Sequence, residues 1–287
     1  MTMKNKIEKT GFKFATSKFT QSDLFIADIV DAIPHVDRTS LQVPFFTLSK
    51  KPDLKPFIYS SDDGKLKLTV EPPALGRPSI YDQDLLLFGI SQLQAAIEEG
   101  REVSPRIRVV AHEYFHATNR STGGKSYDNL EKTLKRLYQT EFYLYVRNGA
   151  EATVRPSKEK LISDFIYRVD ERANKVIDFE FTLGDVLFRS VCEGSVRKLN
   201  QDYFRLRSGI DRRIYQIASA CLESGEDVLE ISELQKRAGS TSVYRSFKRT
   251  IKILAENNYL PDFDMVYDEN SESIRFIHVK NKCLPYI

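Results

Sequence analysis

No apolar run in this 287-residue chain approaches the roughly 18 residues that a membrane span requires. The amino-terminal residues also lack the compact apolar core of a secretory signal. Cysteine is scarce: Cys192, Cys221 and Cys283 are widely spaced and odd in number, which argues against a disulfide framework and for a reducing compartment. A Walker-type Gly-Lys-Ser loop, a nucleophile elbow and a paired Cys-x-x-Cys are all missing. These absences predict a cytoplasmic protein that binds no membrane, carries no cofactor and is not an enzyme. Excess charge is missing too, since 43 Lys and Arg face 40 Asp and Glu for a net +3. Any case for nucleic acid therefore rests on where the charge sits. Hydrophobic residues make up 41%, enough to build real cores in one large or two ordinary domains.

One local absence is the most informative. Residues 236–252 contain no Asp or Glu but six Lys or Arg. Lys236-Arg237-Ala238-Gly239 reads as a basic last helical turn stopped by glycine, and Ser240-Thr241-Ser242 then offers N-cap oxygens for a new helix. On that helix Tyr244, Phe247, Ile251 and Leu254 form an apolar stripe, while Arg245, Lys248, Arg249 and Lys252 form a basic stripe on another face. Two helices joined by so short a turn match a helix-turn-helix. Ordinary solvated faces mix signs, so an unrelieved basic face points to a phosphate backbone.

Around this stretch the elements repeat. Residues 1–20, with five lysines and one glutamate, read as a mobile basic arm. Short β-type runs follow at 45–48, 57–59 and 66–70, with a turn at Asp62-Asp63-Gly64. Helices are predicted at 84–99, 111–118 and 126–138, then strands at 141–147, 161–169 and 176–183. The order returns with helices at 210–222, 231–238 and 242–257 and a hairpin of 263–267 and 274–280 about an acidic turn at 268–271. Three helices and a hairpin are the order of a winged helix. Residues 127–137 align without gaps on 244–254, sharing Tyr, Thr, Lys and Leu. The predicted fold is α+β: tandem winged-helix domains, each of three helices plus a β-hairpin wing. The boundaries are an N-terminal arm at 1–40, a first domain at 41–195 and a second, the main DNA reader, at 196–287.

His112-Glu113-Tyr114-Phe115-His116 satisfies H-E-x-x-H, the zincin pattern, and raises the alternative of a zinc metalloprotease. A catalytic zinc needs a third protein ligand. His35 and His278 lie at opposite ends of the chain, and Glu131 and Glu141 fall in the segment the repeat assigns to a helix and strand. The pattern is read as accidental, with no metal expected. Arg120-Ser121-Thr122-Gly123-Gly124-Lys125 suits a phosphate cradle or a plain turn between helices.

Several strings, among them Pro44–Lys50, Ile80–Leu86, Ala117–Gly124, Asp202–Arg207, Arg212–Tyr215 and Ala238–Ser242, resemble the plasmid replication initiator protein A family. The resemblance implies a pair of winged helices binding repeated duplex sites, or iterons, at a plasmid origin. It further implies opening of adjacent AT-rich DNA, recruitment of the host initiator and replicative helicase, and an equilibrium between monomer and homodimer.

From the residues themselves, Arg245 is expected to read a base, Lys248, Arg249 and Lys252 to hold phosphates, and Ser240, Thr241 and Ser242 to meet phosphate or base edges. Arg205, Arg207, Arg212 and Arg213 are candidate backbone contacts, unless Arg212 or Arg213 pairs with Asp202 or Asp211. Lys125, Lys132, Lys135 and Arg136 of the first domain either follow the adjacent groove or, with Tyr127, form a subunit interface. A winged-helix transcription regulator or a scaffold for other replication proteins are the remaining alternatives.

Overall fold

The computed structural model describes residues 24–148, 151–154, 158–170, 172, 175–280 and 282. The expected mobile segment at 1–20 and Cys283 lie outside them. Along the chain come β1 (Leu24–Ile26), β2 (His35–Asp37), α1 (Arg38–Gln42), β3 (Phe57–Ser60) and β4 (Leu66–Glu71). Next are α2 (Gln83–Glu98), β5 (Arg106–Val110), α3 (Ala111–Ala117), α4 (Gly124–Gln139) and β6 (Glu141–Asn148). They are followed by β7 (Glu151–Val154), β8 (Glu159–Lys160), β9 (Ile162–Asp170) and β10 (Lys175–Leu183). After α5 (Asp185–Cys192), β11 (Val196–Lys198) and a 3-10 turn at Gln201–Arg205 come α6 (Gly209–Ser224), β12 (Val228–Glu230), α7 (Ile231–Ala238), α8 (Tyr244–Asn257), β13 (Phe263–Asp268) and β14 (Ser273–His278).

The repetition of elements extends to their pairing. In α6-β12-α7-α8-β13-β14 the short strand between the first two helices lies antiparallel to the last strand, giving the sheet order β12-β14-β13. In α2-β5-α3-α4-β9-β10 the corresponding order is β5-β10-β9, with β1 added parallel to β5 at the edge. What differs is an insertion after α4. There β6, β7 and β8 join β3 and β4 in a second antiparallel sheet of five strands.

Each unit closes around its own core. Leu85, Ile90 and Leu93 of α2, Leu130, Leu134 and Leu137 of α4, and Phe179 and Phe181 of β10 are buried in the first. Ile214 and Ile217 of α6, Leu234 of α7, Phe247, Ile251 and Leu254 of α8, and Phe263 and Phe276 of the hairpin are buried in the second. Leu87 of α2 belongs to the second core. A helix apolar nearly all round is buried on both sides, and α2 is the wall the two units share.

Three expectations are corrected. Residues 24–40, placed in the arm, are built into the fold: β1 pairs with β5, β2 pairs with β11, and Asp37 caps α1 by accepting from the Ser40 amide at 2.8 Å. Phe45–Leu48 is no strand. Its one pairing is a single bridge from Thr47 to Ser79, and Phe45 and Phe46 instead fill the first core. Lastly, Val243 and not a serine occupies the N-cap of α8, without a side-chain cap. Ser240, Thr241 and Ser242 form the turn before it, where Gln235 Nε2 donates to the Ser242 carbonyl at 2.7 Å.

Candidate nucleic-acid interface

α8 is held by its apolar stripe. Phe247, Ile251 and Leu254 are at most 3% exposed, which fixes the opposite face outward. Tyr244, expected in that stripe, is 39% exposed, and its hydroxyl donates to Glu272 Oε2 at 2.7 Å. The helix follows a tight turn because Gly239 closes α7 at φ 63°, the left-handed region that favours glycine.

The four cations of α8 divide into two pairs. Arg245 and Arg249 are exposed. Lys248 and Lys252 lean toward the hairpin instead: Lys248 pairs with Glu272 and Lys252 with Glu269, and the Lys252 ammonium sits 4.6 Å from the centre of the Tyr267 ring. Lys248, followed by the Tyr244 hydroxyl, holds the Glu272 carboxyl below its ordinary range. Glu269 of the acidic turn and Glu272 beside it thus fold back and neutralise half of the basic stripe. Charge complementarity between α8 and a phosphate backbone is concentrated at Arg245 and Arg249.

Beside α8 an open cleft of about 550 Å³ is lined by Lys50, Tyr81, Arg207, Ser240, Ser242 and Thr250, among others. The start of α6, at Gly209 and Ile210, also lines it. Arg207 is exposed on this wall, and its carbonyl accepts from the Tyr81 hydroxyl at 2.8 Å. Ser240 and Ser242 share a hydroxyl hydrogen bond at 2.9 Å. The structure therefore brings together Arg207, Ser240, Ser242 and α8 from segments 30 or more residues apart. It adds Lys50 and Tyr81, which no pattern in the sequence marked as functional.

Other candidates are engaged within the fold. Arg205 pairs with Asp202 at 2.9 Å. Arg212 and Arg213 are buried, and neither pairs with Asp202 or Asp211. Arg212 Nη1 donates to Asp84 at 2.6 Å, and Arg213 donates to the carbonyls of Ser40 and Arg237. On α4, Lys125 and Lys132 are exposed, and Lys135 pairs with Glu131 one turn away. Arg136 clasps Asp82 with two hydrogen bonds of 3.0 and 2.6 Å. Burial raises the Asp82 pKa, but Arg136 and the Thr133 hydroxyl outweigh it and leave it lowered. Arg136 thus positions the start of α2. Arg120 of the suggested phosphate cradle likewise donates to Asp84, at 2.8 Å.

His112, Glu113 and His116 are exposed on α3, a helix of seven residues. Among the described residues no group of three or more His, Cys, Asp or Glu is arranged to hold a metal ion. The two substitute ligands are occupied: Glu131 pairs with Lys135, and Glu141 with Lys158 at 2.8 Å. Among the described residues no helix is long and apolar enough to cross a membrane.

The arrangement resembles known proteins. A crystal structure of domains 2 and 3 of RctB superposes with a TM-score of 0.57 at 10% identity, covering 83% of this chain and 96% of that one. A second RctB structure, also of domains 2 and 3, gives 0.50 at 12% identity over 85% of this chain and 98% of that one. These likenesses concern the fold. In sequence, a protein of Wigglesworthia glossinidia brevipalpis named "Putative replication protein" is 30% identical over 266 residues, 88% of this chain and 92% of the relative. The model of the family Replication initiator protein A matches residues 36–265. The chain belongs to the Replication initiator protein A family.

Proposed function

We propose that this initiator binds duplex DNA at repeated origin sites by placing α8 in the major groove, with its two three-helix units acting as tandem winged helices. A helix seated on an apolar core and presenting arginines near its start is the geometry by which a recognition helix meets base edges. Arg245, in the first turn, reads a base through its planar fork. Arg249, Arg207 and the hydroxyls of Ser240 and Ser242 meet the flanking backbone. Lys125 and Lys132 on α4 supply a second, weaker contact from the first unit. The observation that carries this reading is the pairing pattern on α8. Two of its four cations are neutralised by the wing, and the other two face outward beside the cleft.

From membership of the family we further infer that binding at the repeats promotes opening of adjacent DNA and attracts the host initiator and replicative helicase. The protein is proposed to exchange between monomer and homodimer and to act in the cytoplasm, through binding and not catalysis. The test is selection of bound duplexes from a random pool, followed by affinity for the winning sequence against salt. One dominant motif with a steep salt slope supports the reading. Retention of no duplex, or equal affinity for every duplex, overturns it.

A further inference from the structure

The five-stranded sheet buries one face and leaves the other open. Tyr59, Leu68, Val70, Phe142 and Leu144 point into the first core at 1–6% exposure. Residues alternate across a strand, so Ile58 of β3, Lys67 and Thr69 of β4, and Tyr143 and Tyr145 of β6 share the outer face. Register places Ile58, Thr69 and Tyr143 in one row and Ser60, Lys67 and Tyr145 in the next. Ile58 is 75% exposed, and both tyrosines are half-buried. The Lys67 ammonium lies 5.6 Å from the centre of the Tyr145 ring. Neighbouring acids are already paired: Glu71 and Glu141 with Lys158, and Asp63 with Lys65. Among the described residues the face therefore offers two aromatic rings two residues apart, a cation over one of them and no uncompensated carboxylate.

Aromatic rings on a sheet interleaved with cations are a stacking platform for unpaired bases, and a duplex, whose bases are already stacked, cannot use it. We propose that this outer face binds single-stranded nucleic acid, with bases stacked on Tyr143 and Tyr145 and the backbone following Lys67. Its position supports that occupant. β3 is the edge strand, and an open cleft of about 350 Å³ runs from Ile58 and Ser60 to Lys236, Ser240 and Thr241 in the turn before α8. Lys236 pairs with Asp62 of the β3–β4 turn and ties the sheet to α7. From β3 to the tyrosines is two strand spacings, about 10 Å. A strand separated from a duplex held at α8 meets this face next. The stacking chemistry stands apart from the duplex reading; only this placement rests on it.

The test measures the full chain binding labelled oligo(dT), oligo(U) and a duplex by fluorescence anisotropy. The expected result is binding of a single strand that falls on the order of tenfold or more in Tyr143→Ala/Tyr145→Ala. Duplex affinity should not change, and Tyr143→Phe/Tyr145→Phe should retain the single strand. The two oligomers tell DNA from RNA, and preference for either is consistent with the platform. Lys67→Glu, an exposed change, gives the same loss should the double alanine variant fold poorly. No binding of either oligomer by the native chain overturns the proposal, as do unaltered binding in both variants or loss of single-strand binding in Arg245→Ala. If duplex binding alone is absent, the function proposed above fails while this face stands.

Discussion

Asp84 of α2 and Arg212 of α6 lie 128 residues apart in sequence and meet at 2.6 Å, with both side chains at most 6% exposed. Arg120 reaches the other oxygen of the same carboxylate at 2.8 Å. The aspartate is thus shared by both units, and Gln216 donates to Gln83 at 2.8 Å one turn along the same seam. Removing one member of a buried ionic cluster strands the rest without compensation and costs about 3–5 kcal/mol. Asp84→Asn leaves the buried guanidinium of Arg212 and the partly buried one of Arg120 facing a neutral amide. The variant is expected to lose that order of stability in urea unfolding and to separate a single transition into two. A melt unchanged from the native chain would show that the seam carries little energy.

The wing sets how many cations α8 offers. Glu272 holds Lys248 and Tyr244, and Glu269 holds Lys252. A duplex must compete with these carboxylates for the lysines, so Glu272→Gln is expected to raise affinity for all duplexes alike. It should also steepen the salt dependence by about one phosphate's worth, roughly 0.9 in slope. Lys248→Ala should have a smaller effect than Arg249→Ala, because only the arginine is free of the wing. Arg245→Ala should relax preference at one base position. Equal salt slopes in the Glu272→Gln and native proteins would sink the competition.

Most of this architecture is legible in the sequence, and the reason is local. α7 spans 231–238 as expected, and the other five helices of the two units fall within a few residues of their predicted limits. Each has an apolar stripe of its own, and all but α4 are followed by a Gly or Asn in the left-handed region that stops the helix. β5 and β12, at five and three residues, are too short to show a period. Partners are what the sequence conceals. Nothing near Arg136 announces Asp82, 54 residues away, and Lys248 finds Glu272 only after the hairpin turns back. A basic stripe reports the number of cations on a helix, not which of them the fold has already used. Lys50 and Tyr81 fall in strings that carry the family resemblance, but nothing in those strings points to the cleft, since each residue reaches it through loops that only tertiary packing positions.

Asp178 gives a pH test of the first unit. Arg168 lowers its pKa, burial opposes this and Arg108 at 2.7 Å adds to it, leaving the carboxyl at about 2 against an ordinary value of 3.8. Because the folded value is depressed, the stabilisation is complete above about 3.8 and is lost as pH falls through about 2. The stability gap between the native chain and Asp178→Asn should be flat from pH 7 to about 4 and shrink below that. Urea midpoints across this range check it. A gap that widens on acidification would contradict the sign.

Gly239 links the stability of the second unit to the placement of α8. Its φ of 63° costs a residue bearing a Cβ about 1–2 kcal/mol. A Cβ built there would also stand 2.6 Å from the Pro44 Cβ, on a rigid ring that cannot swing aside. The entropy an alanine removes from the unfolded chain offsets only about 0.4–1 kcal/mol. Gly239→Ala is therefore expected to lower the melting temperature and, by shifting the Ser240–Ser242 turn, to weaken duplex binding with Arg245 and Arg249 intact. Gly239→Asn separates the two causes. Asparagine tolerates the left-handed region better than other residues but carries the same Cβ. If asparagine restores stability, the dihedral angle dominates; if both variants melt alike, the contact with Pro44 does. A Gly239→Ala protein that melts and binds like the native chain would mean that the turn yields freely, and that α8 is placed by its apolar stripe alone.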